Sequence, residues 1–131
     1  MWPGFPHVFA WGGLHGAIPK YHGEGWFVNV DVASYYPSLM LVYKWLSRNV
    51  HDPSKYAEIY HTRLKLKAEK NPMQQPYKIV LNSTYGAMKD KHNAMYDPRQ
   101  ANNVCVGGQL LSSGLIERLE DHCEIIQSNT D

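Results

Sequence analysis

The chain has 131 residues, 44 % of them hydrophobic, and a formal charge of +1 at pH 7. This length suffices for a compact core and is too short for several large catalytic domains. The near-zero charge excludes a generally basic surface, so any nucleic-acid contact must depend on a local group of cations. No apolar run approaches the ~20 residues that span a bilayer, so we expect no membrane partner and a cytoplasmic location.

Cysteine and histidine spacing gives no sign of a structural metal site. Cys105 and Cys123 lack the CxxC pattern, and we expect both to be buried apolar residues in a reducing compartment. The seven histidines show no ligand spacing either. The sequence therefore predicts no zinc site.

Turns, short strands and one buried strand are predicted for the first quarter of the chain. Glycine and proline punctuate residues 1–24, which is typical of turns. The apolar run at 27–30 has the β-branched and aromatic character of a buried strand, which ends at Asp31. Ser38 follows in a position to cap a short apolar helix.

A pair of helices is predicted for residues 53–89. Asp52 followed by Pro53 is an N-cap and first-turn signature. The dipeptide Asn71-Pro72 interrupts the helical pattern, so a second helix must begin there. Together these signals predict a helical hairpin.

Polar residues recur at helical spacing on one face of each hairpin helix. They are Arg63, Lys67 and Lys70 in the first helix, and Lys78, Asn82 and Tyr85 in the second. Cations hold phosphates, an amide supplies directed hydrogen bonds, and an aromatic ring stacks on a base or sugar. On periodicity alone, solvated faces and compensation of the helix dipole explain both patterns at least as well.

The last third of the chain is predicted to form a polar loop, a long helix and a short strand. The loop covers residues 89–99, and the helix runs from about 100 to 122. We expect a strand to begin at Ile125, beside the strand of Asp31, and to offer Asp131 as a second carboxylate. The apolar stripe of the helix comprises Val104, Leu111, Leu115 and Leu119.

Two carboxylates at the ends of neighbouring strands suit a pair of Mg²⁺ ions acting on a triphosphate. Mg²⁺ prefers oxygen ligands and is usually held by one or two carboxylates plus substrate phosphates. Two such ions stabilise both the attacking and the leaving oxygen of an in-line displacement. Phosphoryl transfer is therefore the reaction class that these residues favour.

Three segments, in this order, resemble the motifs of family B DNA polymerases. Residues 31–38, DVASYYPS, resemble motif A, with Tyr35 in place of the usual Leu. Residues 78–86, KIVLNSTYG, match motif B without departure. The terminal QSNTD is similar to the start of motif C, with Gln127 replacing Tyr and Asn129 replacing the first Asp. Three ordered motifs are far more specific than any one of them.

The resemblance implies an α+β fold and a polymerase reaction. The fold would be a palm core, meaning a small antiparallel sheet backed by helices, with an inserted helical hairpin called the fingers. Residues 25–52 and 90–131 would form the palm, and residues 53–89 the fingers. The implied reaction is attack of a primer 3′-hydroxyl on the α-phosphate of a dNTP with two Mg²⁺ ions, or Mn²⁺ in their place. The implied partners are primer-template DNA and the remainder of the polymerase chain, its thumb and exonuclease, in the host cytoplasm if the source is a virus.

Site residues follow from their positions in these motifs, from Arg63 and Lys67, which resemble the family's Arg-x-x-x-Lys pair, and from Tyr96 and Arg99, which resemble the stretch after motif B. The resemblance implies Asp31 and Asp131 as catalytic carboxylates, and both, with the backbone of Val32, as metal ligands. It implies nucleotide binding by Ser34, Tyr35, Tyr36, Arg63, Lys67, Lys78 and Asn82. It implies DNA binding by Tyr85, Gly86, Tyr96 and Arg99. Tyr36 would lie under the sugar and exclude a ribose 2′-hydroxyl.

Two other functions remain compatible with these residues. A primase-like enzyme that makes RNA would use the same two-metal chemistry, but a bulky ring at Tyr36 disfavours ribonucleotides. A truncated module that binds nucleotide or DNA without turnover is the non-enzymatic alternative, since the chain ends at Asp131 and shows no thumb. We expect Asn129 to mark a subfamily variant, because an amide oxygen still coordinates a hard cation. Alone, the chain is expected to extend primers little.

Overall fold

The computed structural model describes residues 5–10 and 13–130, and these residues form two compact units. The first unit contains residues 1–32 and 105–131, and the second contains residues 33–104. The strands are β1 (His7–Ala10), β2 (Gly13–Ala17) and β3 (Gln127–Asn129), and the helices are α1 (Tyr35–Val42), α2 (Pro53–Ala68), α3 (Gln74–Lys89) and α4 (Pro98–Leu119). This mixture is compatible with the α+β class. None of the described helices is long and apolar enough to cross a bilayer.

The first unit is built on a three-stranded antiparallel sheet in the order β1-β2-β3. β3 pairs with β2, so that His15 lies opposite Asn129. Thr130 extends this pairing, because its backbone N–H donates to the Leu14 carbonyl at 3.1 Å and its Oγ1 accepts from the Leu14 N–H at 3.2 Å. Leu14 is fully buried, so these bonds satisfy backbone groups that water does not reach.

The buried strand predicted before Asp31 is not observed. Residues 21–32 belong to no strand, and Trp26 is 100 % and Val28 84 % exposed. A strand needs a hydrogen-bonded neighbour, and β3 pairs with β2 and not with this segment. The expected position of the last strand beside Asp31 is therefore wrong in this structure. β-Branched and aromatic composition identified a segment able to form a strand but carried no information on its partner.

Element boundaries also differ from the sequence-based expectation at two places. Helix α1 begins at Tyr35 with Ser34 as its N-cap, so Ser38 lies inside the helix and does not cap it. Pro37 is tolerated there because the first-turn N–H groups have no intrahelical acceptor. β3 begins at Gln127 and not at Ile125.

The buried side of α4 is rotated relative to the predicted apolar stripe. Leu111 and Leu115 are each 45 % exposed. The buried positions of the helix are Ala101, Val104, Cys105, Gly108 and Ile116, of which Ala101, Cys105 and Gly108 are small. Small side chains allow close packing, which a hydrophobicity pattern does not register. Cys123, which we expected to be buried, lies beyond the end of α4 and is exposed, whereas Cys105 is buried as expected.

The second unit contains a helical pair where the sequence predicts a hairpin. Asp52 caps α2 by accepting a hydrogen bond from the Ser54 N–H at 3.1 Å. The Tyr56 hydroxyl on α2 donates to the Leu81 carbonyl on α3 at 3.1 Å. Arg63, seven residues after Tyr56, contacts Gln74, which is seven residues before Leu81. Because the α3 partner moves back by seven residues as the α2 residue moves forward by seven, the two helices are antiparallel. The core of this unit includes Leu39, Met40, Tyr56, Leu81, Tyr85, Met88 and Val104.

Candidate nucleotide-binding site

Arg63 is a buried cation on α2. Its side chain is 5 % exposed. Nε donates to the amide oxygen of Gln74 at 3.2 Å, and Nη1 donates to the hydroxyl of Ser34. Both partners are neutral, and within residues 5–10 and 13–130 no carboxylate forms an ion pair with Arg63. A buried charge is costly unless an opposite charge pairs with it, so this position favours an anion.

Ser34 occupies an unusual position at the start of α1. Serine at an N-cap normally accepts a hydrogen bond from its own helix, an interaction worth about 1 kcal/mol. Here the Ser34 side chain makes no such bond and contacts Arg63 instead. Its backbone is left-handed, with φ 52° and ψ 62°, a conformation that non-glycine residues rarely adopt. Such departures from local preference concentrate at functional sites.

A second polar contact joins the same two elements one helical turn away. The hydroxyls of Ser38 on α1 and Tyr60 on α2 are 2.9 Å apart. Ser38 lies 3.0 Å from the carbonyl of Ala33 and 2.8 Å from that of Ser34, and it has only one hydroxyl proton to donate to them. Tyr60 is therefore the donor toward Ser38. The two contacts together fix the start of α1 against α2.

The aromatic residues of the candidate site join α1 to α3. The rings of Tyr36 and Tyr85 lie 4.9 Å apart at 65°, an edge-to-face arrangement. The Lys89 ammonium lies 4.6 Å from the centroid of the Tyr85 ring. Tyr35 lies 5.9 Å from Tyr36. Tyr36 is half-buried and Tyr85 is buried, so the sugar-sensing and base-facing residues inferred from the resemblance pack on each other.

The other predicted nucleotide- and DNA-binding residues of the second unit lie on exposed surface. They are Lys67, Lys78, Asn82, Gly86, Tyr96 and Arg99. The α3 residue bonded to Arg63 is Gln74, four positions before Lys78. No contact between Lys78 and Arg63 is observed among the described residues. A shared phosphate-binding surface of these two cations therefore stays a prediction.

Gly86 lies in α3 with open space around it. A Cβ added to Gly86 would meet no atom within 4 Å. Glycine destabilises a helix by about 1 kcal/mol relative to alanine. Packing among the described residues therefore does not explain why this position is a glycine. A surface that another molecule approaches closely would explain it.

The predicted metal ligands are only partly described. Asp31 and Val32 are exposed in the first unit, and Asp131 lies outside the described residues. Asn129 is in β3. No group of three or more histidine, cysteine or acidic residues is placed to hold a metal within the described part of the chain. Pairing of the two carboxylates is therefore still a prediction.

Sequence reasoning missed an ion pair between the buried carboxylate of Asp97 and the side chain of Arg48, which is 60 % exposed. Asp97 is 3 % exposed, its carbonyl accepts from the Ala101 N–H at 3.0 Å, and its Oδ1 lies 3.4 Å from the Gln100 N–H at the start of α4. The signal was present, because Asp97-Pro98 repeats the Asp-Pro signature that marks the start of α2. The missed partners of Arg63, which are Ser34 and Gln74, had no comparable local signal.

Comparison with known proteins gives one similarity. The chain is 48 % identical over 33 residues to a DNA polymerase of Acidianus bottle-shaped virus (isolate Italy/Pozzuoli). The aligned stretch is 25 % of this chain and 5 % of the viral protein's length. No protein-family model matches the chain, and no solved structure matches it. The similarity to the viral DNA polymerase is thus confined to a quarter of this chain.

Proposed function

We propose that this chain is the nucleotide-handling part of a template-directed nucleotidyltransferase. The observation that carries the proposal is the guanidinium of Arg63, which is 5 % exposed and bonded to neutral oxygens. Charge-assisted hydrogen bonds to phosphate are about twice as strong as neutral ones. Arg63 lies between the segments that resemble motifs A and B, which favours the triphosphate of an incoming nucleotide as its anion.

The particular enzyme that we propose is a DNA polymerase of family B type. The similarity to the viral DNA polymerase and the order of the three motifs support this choice. In this proposal Arg63, Lys67 and Lys78 neutralise phosphate charge, and Asn82 supports the nucleotide. Charge that develops on the transferring phosphates is then met by cations preorganised on the two hairpin helices.

Metal binding in this proposal depends on Asp31, the backbone of Val32, and Asp131. Carboxylate and carbonyl oxygens are the hard ligands that Mg²⁺ takes, so the donor chemistry of these residues fits. Two Mg²⁺ ions would supply activation of the primer hydroxyl and stabilisation of the leaving pyrophosphate. Primer-template DNA, a dNTP and further polymerase domains would complete the reaction.

Calorimetric titration of the chain with dATP and Mg²⁺ tests the anion site directly. We expect Arg63→Ala to weaken binding by at least about tenfold, since it removes a buried charge-assisted contact. Lys65→Ala is the matched control, because Lys65 is an exposed cation on the same helix with no assigned role. Equal losses in the two variants would mean that nonspecific charge attraction holds the nucleotide, and the proposal would fail.

A further inference from the structure

We propose that the hydroxyl of Ser34 occupies the phosphate-binding edge of Arg63 in the nucleotide-free chain and is displaced when a triphosphate binds. This inference rests on the proposed function and adds an internal competitor to the same site. Ser34 and Arg63 both belong to the second unit, and their side chains are in hydrogen-bond contact.

The burial of Arg63 requires such an exchange. At 5 % exposure the guanidinium has almost no free surface, so a phosphate oxygen reaches it only if a present neighbour moves. Gln74 is in the first turn of α3, and its amide bonds Nε. Ser34 is in the turn before α1, and its hydroxyl moves away by rotation about a single side-chain torsion. Ser34 is thus the partner that can be displaced with the smaller rearrangement.

The conformation of Ser34 indicates that its contact with Arg63 replaces a locally favoured one. The side chain gives up the N-cap bond that serine usually makes, while the backbone is left-handed at φ 52°. Its carbonyl still accepts the first helical bond, from the Ser38 N–H at 2.8 Å. Once a phosphate oxygen accepts the hydrogen bond of Arg63, the Ser34 hydroxyl is free to bond elsewhere. Displacement therefore costs less than breaking a contact with no alternative.

The Ser38–Tyr60 contact holds the two elements together during the exchange. Its hydroxyl oxygens are 2.9 Å apart and neither group touches Arg63 in the described contacts. Loss of the Ser34 contact therefore leaves α1 and α2 joined. This separation allows the two hydroxyl contacts to be tested independently.

Affinity of the full chain for inorganic tripolyphosphate and for dATP, each with Mg²⁺, is the test. We expect Ser34→Ala to tighten binding of both ligands roughly tenfold, since a neutral competitor for a charged group is removed. Ser34→Gly removes the same hydroxyl and relieves the left-handed backbone, so it should tighten binding to a similar degree. Binding of dAMP, which lacks the β- and γ-phosphates, should be unchanged.

Two controls distinguish competition for Arg63 from a general loosening of the contact between α1 and α2. Tyr60→Phe removes the other hydroxyl contact, which does not involve Arg63, and should not tighten binding of either ligand. Adding Ser34→Ala to Arg63→Ala should have no effect, because the contested cation is gone. Tightening by Tyr60→Phe equal to that of Ser34→Ala would overturn the proposal.

The remaining outcomes distinguish this inference from the function on which it rests. If binding depends on Arg63 but Ser34→Ala and Ser34→Gly leave it unchanged or weaken it, the competitor role is wrong and the anion site stands. If Arg63→Ala does not reduce binding of either triphosphate ligand, the anion site is wrong and the competitor role falls with it.

Discussion

Asp97 accepts two parallel side-chain hydrogen bonds from Arg48. Nε of Arg48 donates to Oδ2 of Asp97 at 3.0 Å, and Nη2 of Arg48 donates to Oδ1 of Asp97 at 2.9 Å. The Arg48 backbone N–H adds a third bond to Oδ2 at 3.0 Å. The hydrogen bond from the Arg48 side chain holds the pKa of Asp97 at about 2, below its ordinary value. The pair joins the segment after α1 to the start of α4, and it is a structural element of the second unit.

Replacing Asp97 by Asn should destabilise the chain in a pH-dependent way. The amide presents an N–H where Arg48 needs an acceptor, and we expect the Tm at pH 7 to fall by about 5 °C. Because the folded pKa of Asp97 is lowered, its contribution is present above the unfolded pKa near 4 and is lost as pH falls toward about 2. The parent and Asp97→Asn melting curves should therefore converge over that interval. Asp121→Asn, at an exposed position, is the charge-matched control. A constant difference in Tm down to pH 2 would contradict the assignment.

Alanine at Gly86 should stabilise the chain and impair its proposed DNA contact. Open space around Gly86 means that the methyl group meets nothing, while the helix gains about 1 kcal/mol in the free energy of unfolding. Gly114→Ala is the matched control, since Gly114 lies in α4 with equally open space. In the complete protein, both variants should melt at a higher temperature, but only Gly86→Ala should weaken binding to primer-template DNA. Equal DNA affinity in the two variants would remove the proposed role of Gly86.

Truncation of Tyr36 should relax sugar discrimination. In primer extension by the complete protein, Tyr36→Ala should accept ribonucleotides more readily with a smaller loss of deoxynucleotide use, because it removes bulk and no charge. It should also lower stability through loss of the Tyr85 ring contact at 4.9 Å, which a thermal melt measures separately. Tyr36→Phe keeps the ring and should discriminate like the parent. A Tyr36→Ala enzyme that rejects ribonucleotides as strongly as the parent would refute the sugar-sensing role. A parent enzyme that prefers ribonucleotides would favour the primase-like alternative.

Removal of the proposed metal ligands should abolish extension by the complete protein. Asp31→Asn and Asp131→Asn each take away a negatively charged oxygen ligand, so primer extension with Mg²⁺ should be lost in both. Asn129→Asp restores a carboxylate and should leave extension unchanged or improve it. Asp121→Asn controls for the loss of one negative charge. Full primer-extension activity in the Asp31→Asn variant would contradict the two-metal proposal.

Local signals in the sequence were sufficient for the helices of the second unit. The N-cap at Asp52, the proline at the start of α2 and the break at Asn71-Pro72 act within a few residues of the chain, so they are readable without knowledge of the fold. The same reading applied to Asp97-Pro98 finds the start of α4. The resemblance to polymerase motifs implied nucleotide binding by Arg63, but helical spacing alone did not separate it from exposed cations such as Lys67.

Only the tertiary structure decided which partners these elements take. The apolar run before Asp31 has the composition of a strand, yet β3 pairs with β2, because strand pairing depends on neighbours distant in sequence. Likewise, nothing near Ser34 in the chain indicates that its hydroxyl leaves its own helix for Arg63, 29 residues away. Helix caps and breaks depend on residues that lie within a few positions of one another in the chain, so the sequence itself determines them. Burial, strand pairing and the choice between hydrogen-bond partners depend on packing between segments that are distant in the chain, and the sequence does not display that packing.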